Sequence, residues 1–350
     1  MRAVLCNQFG PIDHLTVGEI AAPVPESGEV LVAVESASVQ FVDIRVIEGK
    51  SLLNTTKLDA HFGRKIKVTL PLVPGTEASG TVVSVGQGVT AFAPGDRVLG
   101  TCLTGAWAEK AVFQQQELSR IPAEMSFDDA AAFYVLYFTA AYSLLTRGQL
   151  SAEDSVLVTG AGSGVGLATI EVAKALGATV IAAASSAEKL AAASSRGADA
   201  VVNYGTTSLD LTQQKTLSAR FKEAAGARGI SVIVDLVGGP YAEPAMRAMN
   251  FKGRYLSVGF SAGIPAIPMH VIFNKNGSIL GVEPVADKRL PGDIPGLMSR
   301  LFNWYRDGKL KPLISKKYPL DQAIAALKQL EQRKAIGRIM LDVAGRTGRA

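Results

Sequence analysis

Hydrophobic and polar residues follow two different spacings along this chain, and the change falls near residue 126. Before it, short stretches such as Glu29–Ser38 and Gly80–Val85 carry apolar side chains at alternate or adjacent positions, and glycine and proline turns separate them. Such alternation between turns is typical of β-strands that bury one face. Residues 1–125 are therefore predicted to form a compact, partly open β-barrel.

After Ser126 the chain turns to alanine-rich segments, for which helices are predicted at Asp128–Phe133 and Thr139–Thr146. Strands and helices then alternate strictly from Val156 to Val258, and the strand runs are almost continuously apolar. This alternation predicts βαβ units, and continuous apolar strands indicate a parallel sheet covered by helices on both faces. We therefore predict a doubly wound α/β domain over residues 126–268.

The residues after 268 mix the two patterns and end in a predicted strand at Arg338–Val343. The simplest arrangement makes residues 269–350 a return segment that completes the domain begun by residues 1–125. The cleft between the two domains is then expected to hold a ligand. Residues 50–72 interrupt the barrel pattern and carry several basic side chains. This segment is predicted to be a loop at the edge of that cleft, and a solvated excursion without a function is the alternative.

The strongest chemical signal lies at the start of the second domain. By their pattern, Val156–Thr159 is a buried strand and Leu167–Leu176 a helix, and the stretch Gly160–Gly166 between them contains four glycines. This order directs backbone N–H groups and the positive end of a helix dipole at one place, which suits a pyrophosphate. The spacing is a variant of the dinucleotide-binding pattern, because Ala161 and Ser163 stand where two of its glycines are expected.

The end of the second strand of this domain indicates which dinucleotide is bound. An Asp or Glu is expected there, about 20 residues after the turn, when the ribose carries a free 2′-hydroxyl. The stretch Ala182–Ser186 has no carboxylate, and Ser185 and Lys189 offer a hydroxyl and a cation instead. Because these groups attract a 2′-phosphate, NADPH is predicted rather than NADH; the alternative is that Lys189 is an ordinary surface lysine.

Composition argues against several other classes of function. The net charge of +5 over 350 residues is modest and not concentrated in a basic run, so nucleic-acid binding is not indicated. The two cysteines, Cys6 and Cys102, do not belong to a C-x-x-C pair. Because neither a signal peptide nor a long apolar run is recognised, a cytoplasmic enzyme without membrane contact is predicted.

Five short motifs occur in a characteristic order: Val73–Gly80, Pro94–Val98, Gly160–Gly166, Ala175–Ala178 and Val202–Tyr204. Together they resemble the medium-chain dehydrogenase/reductase superfamily, in its zinc-independent quinone oxidoreductase (zeta-crystallin-like) branch, over nearly the whole chain. The resemblance implies a Rossmann domain inserted in a GroES-like barrel, NADPH as cofactor and a homodimer. It also implies cofactor contacts by Thr139, Tyr142, Gly162, Ser163, Gly164, Val165, Ser185, Lys189, Tyr204, Gly259, Phe260, Ser261 and Arg333. For Tyr142 and Phe260, core packing is an equal alternative.

No zinc is expected in this chain. Thr76 and Gln40 stand where zinc-dependent relatives have a His and a Cys, and His61 is an isolated imidazole. These side chains do not assemble a catalytic zinc site. By the same resemblance Gln40 and Asp43 are candidate catalytic residues, Gln40 as a donor to a developing oxyanion and Asp43 as its support or as a ribose ligand. For Asp43 a structural turn carboxylate is the alternative.

Without a metal to polarise a carbonyl, hydride transfer suits an acceptor that is already electrophilic. We therefore predict an NADPH-dependent reductase of quinones or α,β-unsaturated carbonyls, with Tyr134, Tyr137 or a water as alternative donors to the oxyanion. An enoyl-thioester reductase is the alternative within the class, since the basic side chains of residues 50–72 suit a coenzyme phosphate. A protein that binds NADPH without turnover is the alternative outside it.

Overall fold

The computed structural model describes residues 1–50, 69–205, 209–283, 294–332 and 335–345. The chain forms two compact units. The first combines Met1–Val135 with Pro312–Ala350, and the second is Leu136–Lys311. No helix in the described ranges is long and apolar enough to cross a membrane.

Fifteen strands and ten α-helices lie in the described residues. The strands are β1 (Arg2–Leu5), β2 (Thr16–Glu19), β3 (Glu29–Val39), β4 (Glu77–Val85), β5 (Arg97–Thr101), β6 (Lys110–Gln114), β7 (Leu118–Arg120), β8 (Ser155–Thr159), β9 (Thr179–Ala184), β10 (Ala200–Asn203), β11 (Val232–Asp235), β12 (Arg254–Ser257), β13 (Ser278–Gly281), β14 (Ile314–Pro319) and β15 (Arg338–Asp342). The helices are α1 (Phe41–Ile47), α2 (Phe127–Ala131), α3 (Tyr134–Ala141), α4 (Gly164–Ala175), α5 (Ala187–Ser195), α6 (Leu211–Ala225), α7 (Ala242–Ala248), α8 (Met269–Lys275), α9 (Ile294–Arg306) and α10 (Ala323–Glu331). A π-helical segment, Tyr142–Arg147, continues α3.

The first unit is built on the long strand β3. This strand pairs antiparallel with β4, β6 and β15, and the main path of the sheet is β14-β15-β3-β4-β5-β7. Val30, Val32 and Val34 are buried in the core, as their alternation predicts. Because β15 lies beside β3, the last strand of the chain joins the sheet that its first hundred residues build.

Six parallel strands form the sheet of the second unit, in the order β10-β9-β8-β11-β12-β13. Counted from β8, this order is 3-2-1-4-5-6, the doubly wound arrangement that binds dinucleotides, so the predicted Rossmann fold is confirmed. Helices α6, α7 and α8 pack on one face, where Leu157, Ile181 and Val202 of the strands are buried. Helices α4 and α5 pack on β8, β9 and β10 from the other face, where the alternate strand residues Val158 and Val180 are also fully buried.

The domain boundaries predicted from the sequence pattern differ from those of the structure. The pattern ends the second domain at residue 268, whereas the second unit continues to Lys311, and the first unit continues to Val135 rather than to residue 125. The cause is β13, which adds a sixth parallel strand beside β12 although the surrounding sequence pattern is mixed. Residues 51–68 of the predicted loop lie outside the described residues.

The two helices predicted between residues 128 and 146 are also bounded differently. In the structure, α2 ends at Ala131, α3 begins at Tyr134, and the π-helical segment follows α3 without a break. The Ser126 hydroxyl accepts a hydrogen bond from the Asp129 amide at 3.0 Å, so the start of α2 is the better defined end. The end of α2 and the start of α3 carry no glycine or proline, so the sequence pattern contains no signal for these two boundaries.

Candidate functional site: the edge of the Rossmann sheet and a buried polar cluster

The turn between β8 and α4 lies at the carboxyl edge of the parallel sheet. Gly160 begins it with a φ of +68°, a conformation that favours glycine. Ser163 then caps α4: its hydroxyl accepts a hydrogen bond from the Gly166 amide at 3.1 Å and donates one to the Gly160 carbonyl at 2.8 Å. The serine thereby satisfies one amide at the start of the helix and holds the turn closed.

Three amides at this turn are left for a ligand. The backbone N–H groups of Gly162, Gly164 and Val165 donate no hydrogen bond to any residue that the structure describes. The first N–H groups of a helix lack acceptors within it, and the helix dipole adds a partial positive charge there. Such groups bind phosphate oxygens, so Gly162, Ser163, Gly164 and Val165 form one continuous site that suits a pyrophosphate.

Gly166 determines how closely α4 approaches β8. A β-carbon at this position would lie 2.4 Å from the Gly160 carbonyl oxygen and 2.8 Å from the Ala161 Cα. Both are backbone atoms that cannot swing away, so this close approach requires glycine. The irregular spacing of the motif is thereby explained: Gly160 makes the turn, Gly166 makes the close packing, and Ala161 is fully buried between them.

The end of β9 meets the glycine turn through Lys189, in the first turn of α5. Its side chain packs against Gly162, where an added β-carbon would lie 2.6 Å from the lysine Cβ. The Lys189 Nζ lies 3.5 Å from the Ser185 hydroxyl, and Ser186 caps α5 by accepting a hydrogen bond from the Lys189 amide at 3.4 Å. The structure therefore brings Gly162, Ser185 and Lys189 together in one corner of the unit.

Tyr204, just after β10, lies at the same edge of the sheet. Its amide donates a hydrogen bond to the Ala184 carbonyl at 3.0 Å, and its ring packs against Tyr241 with the ring centroids 4.6 Å apart. The side chain of Tyr204 is half-buried. Arg333, another of the implied cofactor contacts, lies outside the described residues.

Asp235, which the sequence reasoning missed, organises the loops after β11 and β12. This buried carboxylate accepts hydrogen bonds from the hydroxyls of Thr159 and Tyr255 and from the Val237 amide at 2.9 Å. The Asp235 carbonyl also accepts a hydrogen bond from the Gly259 amide at 3.1 Å. Burial and the neighbouring carboxylate raise the pKa of Tyr255, so its phenol stays a donor. The available signal was a lone Asp closing an apolar strand.

The loop from Gly259 to Ser261 follows β12 at this edge. The Ser261 hydroxyl donates a hydrogen bond to the Leu236 carbonyl at 3.3 Å, and a β-carbon on Gly259 would lie 2.9 Å from the same oxygen. Phe260 between them is 49% exposed. Its ring therefore has free surface for a ligand, whereas the packing alternative does not account for this exposure.

Thr139 and Tyr142 lie deeper in the second unit. Tyr142 is only 2% exposed, and its ring stacks on Phe138 with a centroid distance of 6.5 Å. Thr139 is half-buried, and its carbonyl accepts a hydrogen bond from the Ser143 hydroxyl at 2.6 Å. A ring with almost no exposed surface offers little contact area to a ligand, so the packing alternative describes Tyr142 better.

A second group of polar side chains is buried in the first unit, where β3 leads into α1. The Gln40 Nε2 donates to the Ser38 hydroxyl at 2.9 Å and to the Glu77 carboxylate at 3.0 Å. Asp43 accepts hydrogen bonds from the Gln40 amide at 2.7 Å and from the Thr76 hydroxyl at 3.0 Å. We call these residues, together with Arg338, the buried polar cluster.

This arrangement bears on the roles predicted for Gln40 and Asp43 from the sequence, which stay predictions. Gln40 is 5% exposed and both of its side-chain donors are engaged, so it is not a ready donor to a substrate oxyanion. Asp43 supports the Gln40 backbone, which is one of its two predicted roles, but it has no exposed surface to offer a ribose. Sequence spacing shows that two polar residues are near each other, and only packing shows that they face inward.

Glu77 and Arg338 are the charged pair of this cluster. The Arg338 guanidinium, on β15, lies 3.6 Å from the Glu77 carboxylate, and both side chains are buried. Glu77 also accepts hydrogen bonds from the Ser38 hydroxyl at 3.0 Å and the Val135 amide at 2.9 Å. Burial raises the pKa of Glu77 and lowers the pKa of Arg338, and each charge opposes the shift of the other. The pair is therefore tolerated in the core only while both partners are present.

Asp43 makes the stability of the protein depend on pH. Burial raises its pKa from 3.8 to about 7, although its hydrogen bonds to Gln40 and Thr76 oppose the shift. Because the folded pKa exceeds the unfolded one, the stabilisation is complete below about pH 4 and is lost as the pH rises through about 7. The Asp43 carboxyl should therefore lower the free energy of unfolding of the parent by roughly 2–3 kcal/mol between about pH 5 and about pH 8. We expect Asp43→Asn to lack this loss.

Urea unfolding of the parent and of Asp43→Asn over this pH range measures the difference. Asp13→Asn is a matched control, because the Asp13 carboxylate is exposed and paired with Lys328 at the surface. It should leave the pH profile unchanged to within about 0.5 kcal/mol. Parallel pH profiles for the parent and Asp43→Asn would show that the Asp43 carboxyl does not titrate in this range.

No group of three or more His, Cys, Asp or Glu side chains in the described ranges is arranged to hold a metal ion. Cys102, near the buried polar cluster, lies with its Sγ 3.5 Å from the Gly75 carbonyl. Burial, with Glu117 and Asp43 nearby, raises the pKa of this thiol. The thiolate that a metal ligand requires is therefore disfavoured at Cys102.

Comparison with known proteins matches both units. Residues 26–123 match the family model of the alcohol dehydrogenase GroES-like domain, and residues 164–302 match the model described as zinc-binding dehydrogenase. Quinone oxidoreductase-like protein 2 homolog of Nematostella vectensis is 34% identical to this chain, over 97% of this chain and 88% of the relative. Quinone oxidoreductase of Lama guanicoe is 30% identical, over 97% of each chain.

A solved structure agrees with these matches. The Escherichia coli quinone oxidoreductase complexed with NADPH has a TM-score of 0.84 to this chain at 25% identity, over 98% of this chain and 100% of that one. The similarity to these two relatives and to the solved structure extends over nearly the whole of this chain, and the two family models follow one another in the order of the barrel and the Rossmann sheet. The chain therefore belongs to the medium-chain dehydrogenase/reductase superfamily, in its quinone oxidoreductase branch.

Proposed function

We propose that this protein is an NADPH-dependent oxidoreductase that transfers hydride to a quinone or to an α,β-unsaturated carbonyl. The observation that carries the proposal is the group of three backbone amides at the start of α4, which have no acceptor among the described residues and lie beside Lys189. The amides suit a pyrophosphate, and Lys189 with Ser185 suits a 2′-phosphate. The NADPH bound to the Escherichia coli relative supports the same cofactor.

NADPH supplies the hydride when bound, and the residues of this chain bind and orient it. The Gly162, Gly164 and Val165 amides would hold the pyrophosphate, while the Lys189 ammonium would neutralise the 2′-phosphate. The Gly259–Ser261 loop, anchored by Asp235, would border the nicotinamide end, as the family resemblance implies. Among the described residues, no carboxylate stands at the end of β9 to repel a 2′-phosphate.

The candidate proton donors differ in their surroundings. Tyr137 is buried and donates to the Glu171 carboxylate at 2.5 Å, so its proton is committed within the second unit. Tyr134 is half-buried, and burial together with Glu77 and Glu117 raises its pKa to about 12. Its phenol therefore keeps its proton at neutral pH. Tyr134 or a water, rather than Gln40, is the donor that this proposal assigns to the developing oxyanion.

Lys189 is expected to set the preference for NADPH. Lys189→Gln should lower kcat/KM for NADPH by about tenfold or more while leaving the value for NADH nearly unchanged, because only NADPH carries the 2′-phosphate. Steady-state kinetics with both cofactors measure the two values. Lys309→Gln is a matched control, since Lys309 is an exposed lysine of the same unit paired with Asp307. Equal losses with both cofactors, or a parent that prefers NADH, would contradict the assignment.

A panel of acceptors tests the activity itself. Oxidation of NADPH is followed in the presence of quinones, enones, enoyl thioesters and simple ketones. Turnover with quinones or enones, and little with ketones, is expected, because no metal ligand set polarises a carbonyl in the described residues. Tight NADPH binding without oxidation of NADPH by any acceptor would contradict the enzyme and favour a binding protein. Turnover confined to enoyl thioesters would contradict the proposed substrate class.

Zinc independence is part of the proposal. Thr76 and Gln40, which replace a His and a Cys of zinc-dependent relatives, are bonded into the buried polar cluster. A hydroxyl and an amide are poor zinc ligands compared with imidazole and thiolate. The purified protein should contain far less than one zinc per chain by elemental analysis, and a chelator should not reduce its activity. Stoichiometric zinc, or loss of activity that zinc restores, would contradict this part.

A homodimer in the cytoplasm completes the proposal. Among the described strands β13 pairs only with β12, so it forms one edge of the six-stranded sheet. Ile264, Met269 and Phe273, on the segment before β13, are 86%, 66% and 81% exposed. A second copy placed against this edge would cover these side chains. Sedimentation at micromolar concentration should show the mass of two chains, and a monomer would contradict the dimer. Cell fractionation should place the protein in the cytosol, and a membrane-bound fraction would contradict the predicted location.

A further inference from the structure

A hollow on the second unit collects cationic side chains that the proposed reaction does not use. It lies between α6, α7 and α8 and has a volume of about 390 Å³, within the range of small-molecule sites. The residues from α6 recur at spacings of three and four, so they share one helical face. We call it the basic hollow, and its polar lining includes Lys215, Ser218, Lys222, Arg247, His270 and Lys275.

The positive charges of the basic hollow are largely uncompensated. The side chains of Lys215, Lys222 and His270 form no ion pair or hydrogen bond with any described residue. Arg247 is bonded to Glu243 at 2.6 Å, and this is the one ion pair of a lining residue in the described part of the chain. Three lysines and an arginine thus line a concave surface to which no carboxylate contributes among the described residues, and their mutual repulsion favours the binding of an anion.

Lys275 is the half-buried lysine of the basic hollow, whereas Lys215 and Lys222 are exposed. Its ammonium donates a hydrogen bond to the Met249 carbonyl rather than to a carboxylate. Burial and the positive charge of Lys222 lower the pKa of Lys275. An anion placed between Lys222 and Lys275 would reverse both effects, because it favours the charged form of each ammonium.

Ser218 points to a ligand independently of charge. Its side chain is 5% exposed and lines the basic hollow, and its hydroxyl makes no hydrogen bond with any described residue. The hydroxyl oxygen is not among the fully buried atoms that lack a hydrogen-bond partner, and it can both donate and accept a hydrogen bond in the hollow. A ligand oxygen in the hollow would supply a partner.

We propose that the basic hollow binds a small anion carrying at least two phosphate groups, with Lys215, Lys222 and Lys275 as its cationic ligands. Phosphate oxygens satisfy ammonium groups and a serine hydroxyl alike, and two linked phosphates match a hollow lined from three helices better than a single monoanion does. The site is independent of the proposed hydride transfer. It lies among α6, α7 and α8, on the face of the sheet opposite α4 and α5.

Calorimetric titration of the NADPH-saturated protein with inorganic pyrophosphate, at constant ionic strength, tests the proposal. NADPH saturation keeps pyrophosphate from the turn before α4. Lys215→Gln/Lys222→Gln removes two exposed side chains that support no packing, so the variant should fold and bind NADPH as the parent does. Pyrophosphate should bind the parent at one site per chain, and the double variant at least about tenfold more weakly.

A matched control and a second readout separate a site from general electrostatics. Arg220→Gln/Lys252→Gln removes the same charge from exposed side chains outside the lining, Arg220 being on α6 itself. It should change the affinity for pyrophosphate less than twofold, and Ser218→Ala should weaken it about threefold or more without any change of charge. Absence of binding to the parent, equal weakening by the control, or sulfate competing as well as pyrophosphate would overturn the proposal.

Discussion

Gly166→Val is expected to weaken NADPH binding by at least about 100-fold. A β-carbon at this position would lie 2.4 Å from the Gly160 carbonyl oxygen, and valine adds two methyl groups beyond it. Overpacking of this kind typically costs about 1–3 kcal/mol, and more when the opposing atoms are backbone. Helix α4 must then move away from β8, and the Gly162, Gly164 and Val165 amides lose their common direction. The affinity is measured by titrating NADPH against protein fluorescence.

Gly281→Ala is the matched control for this experiment. Gly281 lies at the end of β13 in the same unit, and a β-carbon there would meet nothing within 4 Å. Its NADPH affinity should stay within about twofold of the parent. Circular dichroism of both variants reports whether the second unit is folded. A folded Gly166→Val protein that binds NADPH like the parent would show that the turn before α4 is not the pyrophosphate site.

Glu77→Leu is expected to reduce the free energy of unfolding of the first unit by about 3–5 kcal/mol, because it leaves the buried Arg338 guanidinium without its carboxylate. In the described structure Arg338 already has two nitrogens without a hydrogen-bond partner, so the ion pair with Glu77 is its main compensation. The variant also leaves the Val135 amide without an acceptor and removes one of the two hydrogen bonds that the Gln40 side chain donates. Urea unfolding measures the loss.

The design of this experiment follows from the positions of the two tryptophans. Trp107 is buried in the first unit and Trp304 lies in the second, so a Trp304→Phe background makes fluorescence report on the first unit alone. Glu77→Leu/Arg338→Met should be less destabilised than Glu77→Leu by about 2 kcal/mol or more, since it removes the unpaired charge. A loss below about 1 kcal/mol in the single variant, or strictly additive losses in the double one, would contradict the pairing.

Much of the second unit could be predicted because its signals are local. The apolar strand before Gly160, the glycines themselves and the absence of a carboxylate in residues 182–186 are all visible within one βαβ unit. The structure places Gly162, Ser185 and Lys189 together because β8 and β9 are neighbouring parallel strands whose carboxyl ends share an edge. Strands that follow one another along the chain, such as β8 and β9, lie side by side in such a sheet. A sequence pattern within one βαβ unit therefore describes residues that meet at the site.

The surroundings of the polar residues on the barrel side could not be predicted in the same way. Gln40 and Asp43 belong to a cluster whose other charged members, Glu77 and Arg338, come from β4 and β15, far away along the chain. Antiparallel pairing of β3 with both strands brings them together. Nothing in the spacing of residues 40 and 43 shows that they face the core rather than a substrate.

By itself, then, the sequence determined the Rossmann fold and the glycine turn, and it predicted a preference for a 2′-phosphate, since each depends on residues within a few dozen positions of one another. Tertiary structure alone decided that Gln40 and Asp43 are buried, that Asp235 organises two loops, and that three helices form the basic hollow. These features join side chains from separate elements, and the direction of a side chain depends on packing against elements that its own neighbours in sequence do not specify.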